Sequence, residues 1–202
     1  MDLVLAPGGA INKRIAEGES GDVVVSSTSG VAALVKSGKV VAGSTRPLAA
    51  SGVGVAVKKG ARKPDISSTE ALKRTVLAAK AVAYSDPAGG GASGIHFAAI
   101  LERLGIAEQV NANAKRSRGV LNAELLVKGE ADLAIQQIPE LLAVAGIDLV
   151  GPLPGELQQI TSFSVGLLSS STQADAAKAL IQFLASSDTS AVLKAQGFEL
   201  DR

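Results

Sequence analysis

Short β-rich runs alternate with helical patterns along almost the whole chain, and this alternation limits the fold more than any other feature. "DVVVSS" (22–27) precedes "GVAALVKSG" (30–38), and "AVAYSD" (81–86) precedes a helical stretch over 93–104. "GVLNAELLVKG" (119–129) runs into "ADLAIQQ" (131–137), and the chain closes on helices over 173–186 and 188–195. The pattern predicts an α/β fold whose parallel sheets are covered by helices on both faces. "DLVLA" (2–6), "VGVAVKKG" (53–60), a segment near 109–113, "IDLVGPLP" and "TSFSVGLLSS" (161–170) read as further strands, and 22–27 as a fully buried one. "SGVGVAVKKG" and "TSFSVGLLSS" are Gly/Ser-punctuated and half a chain apart, which reads as two crossovers between lobes or as two edge strands of one sheet.

The turns after the strands carry the chemistry. In "YSDPAGGGASGIHF", Gly89, Gly91 and Gly94 satisfy G-x-G-x-x-G between a strand and a helix. Asp86-Pro87 intervene before the glycines, and Lys115 and Arg116 stand where a ribose-binding acid belongs, so the dinucleotide reading is weak. No Gly-Lys-Ser/Thr follows, which excludes a P-loop. Ser93 stands at the helix start, either as a simple cap or where free amides and the helix dipole favour a negative charge. Other strand ends repeat the pattern with Gly8-Gly9, Ser26-Ser27, Ser117-Arg118 and Gln136-Gln137. Ligands of open α/β sheets gather beyond the carboxyl ends of strands, so these tips predict one convergent cleft. Arg118 reads equally as a bidentate partner for an oxyanion or as a solvated member of the Lys115–Arg116–Arg118 cluster.

Composition narrows the guest. With four Phe, one Tyr and no Trp, the chain lacks the rings for sugar platforms, quaternary-ammonium cages or base stacking. A net charge of +1 gives no field to steer nucleic acid, and no nucleic-acid partner is expected. The absence of cysteine removes disulfides and thiolate metal sites, and neither a metal nor a cofactor is expected. "MDLVLAPGG" has no basic start and too short an apolar run for a signal peptide, so the chain as given is expected to stay in the cytoplasm.

"LAPGGAINKRIAEGESGDVVVSS", "VGVAVKKG", "DPAGGGASGIHFAAILERLGI", "LVKGEADLAIQQIPEL" and "FLASSDTSAVLKAQGFEL" together resemble the solute-binding proteins of ABC transporters, type II periplasmic class, near the molybdate binders. The resemblance covers almost all of the chain. It implies two doubly wound lobes, one from 1–52 plus 163–202 and one from 58–160, joined by hinge strands near 53–57 and 161–165. It further implies a small anion in the interlobe cleft, an ABC permease as partner and a periplasmic location. The family's ligand positions map onto Gly8, Gly9, Ser93, Ser117 and Gln137; with the other tips, the candidate set is Gly8, Gly9, Ser26, Ser27, Ser93, Gly94, Ser117, Arg118, Gln136 and Gln137.

The Gln-Gln pair resembles a subgroup that includes aconitate isomerase, which turns the expectation from molybdate toward a small carboxylate. Family members carry a strand and helix before the segment that opens this chain. Without that strand, lobe one is expected to be incomplete, and an unpaired strand edge predicts a homodimer or a strand swap. Two alternatives stay open beside the carrier: an isomerase acting on a tricarboxylate, with His96, Tyr84 or Glu140 as proton shuttle, and a remnant that binds nothing. The single histidine and the missing G-x-S-x-G elbow leave no nucleophilic hydrolase, and no catalytic residue is assigned.

Overall fold

The computed structural model describes residues 2–200, which fall into two units. Unit one is Gly52–Ile160 with residues 2–7, and unit two is Gly8–Ser51 with residues 161–200.

Within unit one, β2 (Arg46–Lys58) enters from unit two and pairs antiparallel with β5 (Leu133–Gln137) on one edge and β6 (Ile147–Pro152) on the other. Next to β5 lies β3 (Val82–Ser85), then β4 (Lys115–Ser117), both parallel. The helices explain the directions. α4 (Ala92–Arg103) and α5 (Ala107–Asn111) carry the chain from β3 to β4, and α6 (Asn122–Val127) carries it from β4 to β5. Each such crossover returns the next strand in the same sense. The sheet is therefore mixed, not wholly parallel as the alternation predicts, and β2 runs against both β5 and β6.

Strand parity splits the core of unit one into two layers. Val53, Val55, Val57, Val82, Tyr84, Leu133 and Ile135 pack with Leu72 and Val76 of α3 (Thr69–Ala78) and with Phe97 and Leu101 of α4. The alternate residues Ala56, Ala83 and Ala134 face Ala123 and Leu126 of α6 and Leu141 of α7 (Ile138–Leu142). Large side chains fill one face, and small ones let two short helices lie close on the other. Tyr84 and Phe97 meet edge to face, centroids 5.2 Å apart.

Unit two pairs β1 (Val23–Ser27) antiparallel with β7 (Ile160–Leu167). Ile15 of α1 (Gly8–Ala16) and Val31 and Leu34 of α2 (Thr28–Lys36) pack on Val24. Ala177 and Ile181 of α8 (Ala174–Leu184) pack on Val165 and Leu167, and α9 (Ser190–Ala195) follows.

Four sequence expectations are corrected. Residues 2–6 form no strand: no described strand runs beside them, and Leu3, Val4 and Leu5 are exposed. The segment near 109–113 is mostly α5, where Ile106 and Val110 fall four apart on one buried face, and the strand comes later as β4. β1 is not fully buried, since it ends the strand order and alternates, with Val25 exposed. β2 starts at Arg46, ahead of the predicted 53, because Pro47, Ala49 and Ala50 hide a strand that burial nonetheless sustains from Leu48 to Val57.

Candidate functional site

The carboxyl ends of β3, β4 and β5 lie along one edge of the unit-one sheet, because these strands are parallel and in register: Ser85 stands opposite Ser117, and Tyr84 opposite Ile135. Ser93, Gly94, Ser117, Arg118, Gln136 and Gln137 all belong to unit one and to the strand ends, turns or helix starts at this edge.

α4 begins over β3. Its N-cap is Gly91, not Ser93, and no side chain bonds to the first-turn amides. Ser93 sits inside the first turn and is buried. An uncapped start of a twelve-residue helix presents free N–H groups and the positive end of its dipole. Gly94 is required there: a Cβ would stand 2.2 Å from the Ser85 carbonyl oxygen. The turn before the helix relies on Gly90, whose φ of 73° is left-handed.

Arg118 is paired and not merely solvated. Its Nε donates to Asp86 Oδ2 at 2.7 Å, and Asp86 Oδ1 accepts from Ala88 N. The Asp86 amide in turn donates to the Ser117 carbonyl at 2.8 Å. These bonds fasten the turn after β3 to the turn after β4. The Arg118 hydrogen bond holds the Asp86 carboxyl below the usual range.

Beneath these turns lies a buried polar cluster. Ser117 Oγ donates to Asn122 Oδ1, Asn122 Nδ2 donates to the Ile135 carbonyl (2.9 Å) and to Ser85 Oγ (3.3 Å), and the Asn122 amide donates to Gln136 Oε1 (2.7 Å). Gln136 Nε2 is buried with no partner, and leaving such a donor unmade costs about 1–3 kcal/mol. Gln137 caps α7 through its position alone, with no side-chain cap bond, and is also buried. Ser85, Asp86 and Asn122 were missed by the sequence reading. Parity carries a signal for Ser85, which faces the same side as Ala83, as Gln136 does with Ala134.

Gly8, Gly9, Ser26 and Ser27 belong to unit two. Gly8 and Gly9 open α1, and a Cβ on Gly8 would lie 3.2 Å from Ser26 Oγ. Ser26 is buried at the end of β1 with its hydroxyl unpartnered. Ser27 is the N-cap of α2, accepting from Gly30 N at 3.2 Å.

The proton-shuttle candidates separate. Tyr84 is a core residue whose hydroxyl donates to Asn111 Oδ1, and burial pushes its phenol up, so it stays a proton-bearing donor at neutral pH. His96 Nε2 lies 2.7 Å from the Leu157 carbonyl, which can only accept, so Nε2 carries hydrogen and Nδ1 is the basic atom of the neutral ring. Glu140 is half-buried in the first turn of α7. Among the described residues there is no cluster of His, Asp or Glu fit to hold a metal.

A family model for bacterial extracellular solute-binding proteins matches residues 2–199. The chain belongs to this family. Within reach of this solute-binding protein is a Pseudomonas relative named aconitate isomerase, 38% identical over 205 residues, covering 98% of this chain and 77% of the relative. Among solved structures, the periplasmic molybdate-binding protein of Azotobacter vinelandii aligns with a TM-score of 0.75 at 18% identity, over 98% of this chain and 86% of the other. The sulfate-binding protein SubI of Mycobacterium tuberculosis H37Rv aligns with a TM-score of 0.70 at 20% identity, over 96% and 74%. At those identities the structural likeness establishes the fold, which is that of type II periplasmic binding proteins.

Proposed function

We propose that this solute-binding protein captures a small organic carboxylate at the carboxyl edge of the unit-one sheet and delivers it, from the periplasm, to an ABC permease. The observation that carries the reading is the uncapped start of α4, with buried Ser93 in its first turn, set over strands that end in Ser85, Ser117 and Gln136-Gln137. Amides and hydroxyls grouped this way suit an anion and offer nothing to an apolar or aromatic guest. The aconitate isomerase relative favours a carboxylate over molybdate or sulfate.

Thermal unfolding with aconitate, citrate, molybdate, tungstate and sulfate tests this. A true ligand at a hundred times its dissociation constant should stabilise by about 2.7 kcal/mol. Aconitate or citrate is expected to raise the melting temperature and molybdate to leave it unchanged. The carboxylate reading fails if only an inorganic oxyanion shifts the transition, and the binding reading fails if none does.

The same relative supports a second reading, cis/trans isomerisation of an unsaturated tricarboxylate. His96 is then the proton carrier, its ring held by Leu157 so that Nδ1 takes and returns the proton. Proton NMR of cis- and trans-aconitate over time decides. Turnover by the native protein that disappears in H96Q, while aconitate still shifts the melt, supports an enzyme; no interconversion leaves the carrier.

A further inference from the structure

The cluster beneath the turns fixes which of its hydroxyls can reach outward. Backbone groups settle the amide orientations. The Ile135 carbonyl can only accept, so the Asn122 atom facing it is Nδ2; the Asn122 N–H can only donate, so the Gln136 atom facing it is Oε1. Asn122 Oδ1 therefore faces Ser117, whose one hydroxyl proton goes to it or to the Val120 carbonyl at 3.3 Å, inward in either case. Ser85 Oγ, by contrast, already accepts from Asn122 Nδ2, and its own proton has no partner in the cluster. The hydrogens left unspent are that of Ser85 and those on Gln136 Nε2.

We propose that Asn122 is a positioning residue that turns the Ser85 hydroxyl outward as a ligand donor and locks the Ser117 hydroxyl inward. The inference deepens the anion reading above and rests on it. It moves the ligand role of the β4 end from the Ser117 side chain to Ser85 on the neighbouring strand. It also narrows the guest: a surplus of donors at this edge calls for an oxygen that carries no proton, as in a carboxylate, and disfavours a hydroxyl group in that place.

Titration calorimetry with trans-aconitate, on the native protein and on S85A, S117A, N122A and S85A/N122A, tests the assignment. S85A is expected to weaken binding about ten-fold, the loss of one hydrogen bond to a charged group. S117A should stay within about three-fold, because Ile135 and Gln136 still hold Asn122 in place. The double variant should bind no more weakly than S85A, since Asn122 acts through Ser85. S85C, which keeps the volume and replaces a strong donor by a weak one, should also lose affinity, and serves if S85A does not fold. If the native protein binds trans-aconitate and S117A loses as much as S85A or more, or if the S85A and N122A losses simply add, the assignment is overturned while the anion site stands. If the native protein binds none of aconitate, molybdate or sulfate, the anion reading falls and takes the assignment with it.

Discussion

Asp86 is the residue whose charge most directly ties two turns of the candidate site together. It pairs with Arg118 and accepts from Ala88 N, and these bonds favour its ionised form. A carboxyl depressed in the folded state adds stability that is fully present above its unfolded value of about 3.9 and is lost as pH falls through the lower folded value. D86N lacks that contribution at every pH. The native protein is thus expected to be more stable than D86N by a constant margin from pH 5 to 8, with the margin closing below about pH 4. Urea midpoints at a series of pH values measure it, and a margin that widens in acid contradicts the depressed carboxyl. Because Arg118 is largely exposed, the effect is small, and the pair matters more for fastening the turns than for holding the fold.

At the scale of elements, the seat of α4 on β3 decides the shape of the site. The missing side chain of Gly94 lets the first turn of α4 touch the Ser85 carbonyl, and any Cβ there overlaps backbone that cannot give way. G94A should cost about 1–3 kcal/mol, as overpacking does, and should also lift the free amides away from Ser85 and weaken anion binding. Denaturant unfolding and a binding titration on one sample check both; a stable G94A that binds normally would show that this contact does not shape the site.

The sequence reading met this junction only in part. It placed the strand, the glycine turn and the helix, because period-two and period-3.6 patterns are local. Ser93 reads as a simple cap or as an anion-facing residue at the helix start, whereas the chain turns into helix two residues earlier at Gly91. Asn122 looked like any polar residue near a helix start; only the register of β3, β4 and β5 brings it under Ser85 and Gln136. The β-rich run 2–6 reads locally as a strand, but a strand exists only where another supplies its hydrogen bonds.

For the molecule as a whole, the deciding quantity is how little net charge it has. Twenty basic and nineteen acidic residues leave +1, so no strong field draws an anion from a distance. Arg118, the cation nearest the candidate site in sequence, is already compensated by Asp86. On the proposed anion reading, capture rests on neutral donors at close range: the α4 amides and the hydroxyls of Ser85 and Ser93. Such contacts are short, and added salt screens them little, whereas attraction between separated charges fades beyond a Debye length of about 10 Å at 0.1 M. Stopped-flow association of trans-aconitate is therefore expected to slow by less than about three-fold between 0.02 and 0.5 M sodium chloride. A fall of about ten-fold or more would mean that the exposed Lys115 and Arg116 beside the β4 turn do the capturing. In that event, K115Q/R116Q should abolish the salt dependence and leave S85A with native affinity, reversing the roles assigned here to charge and hydroxyl.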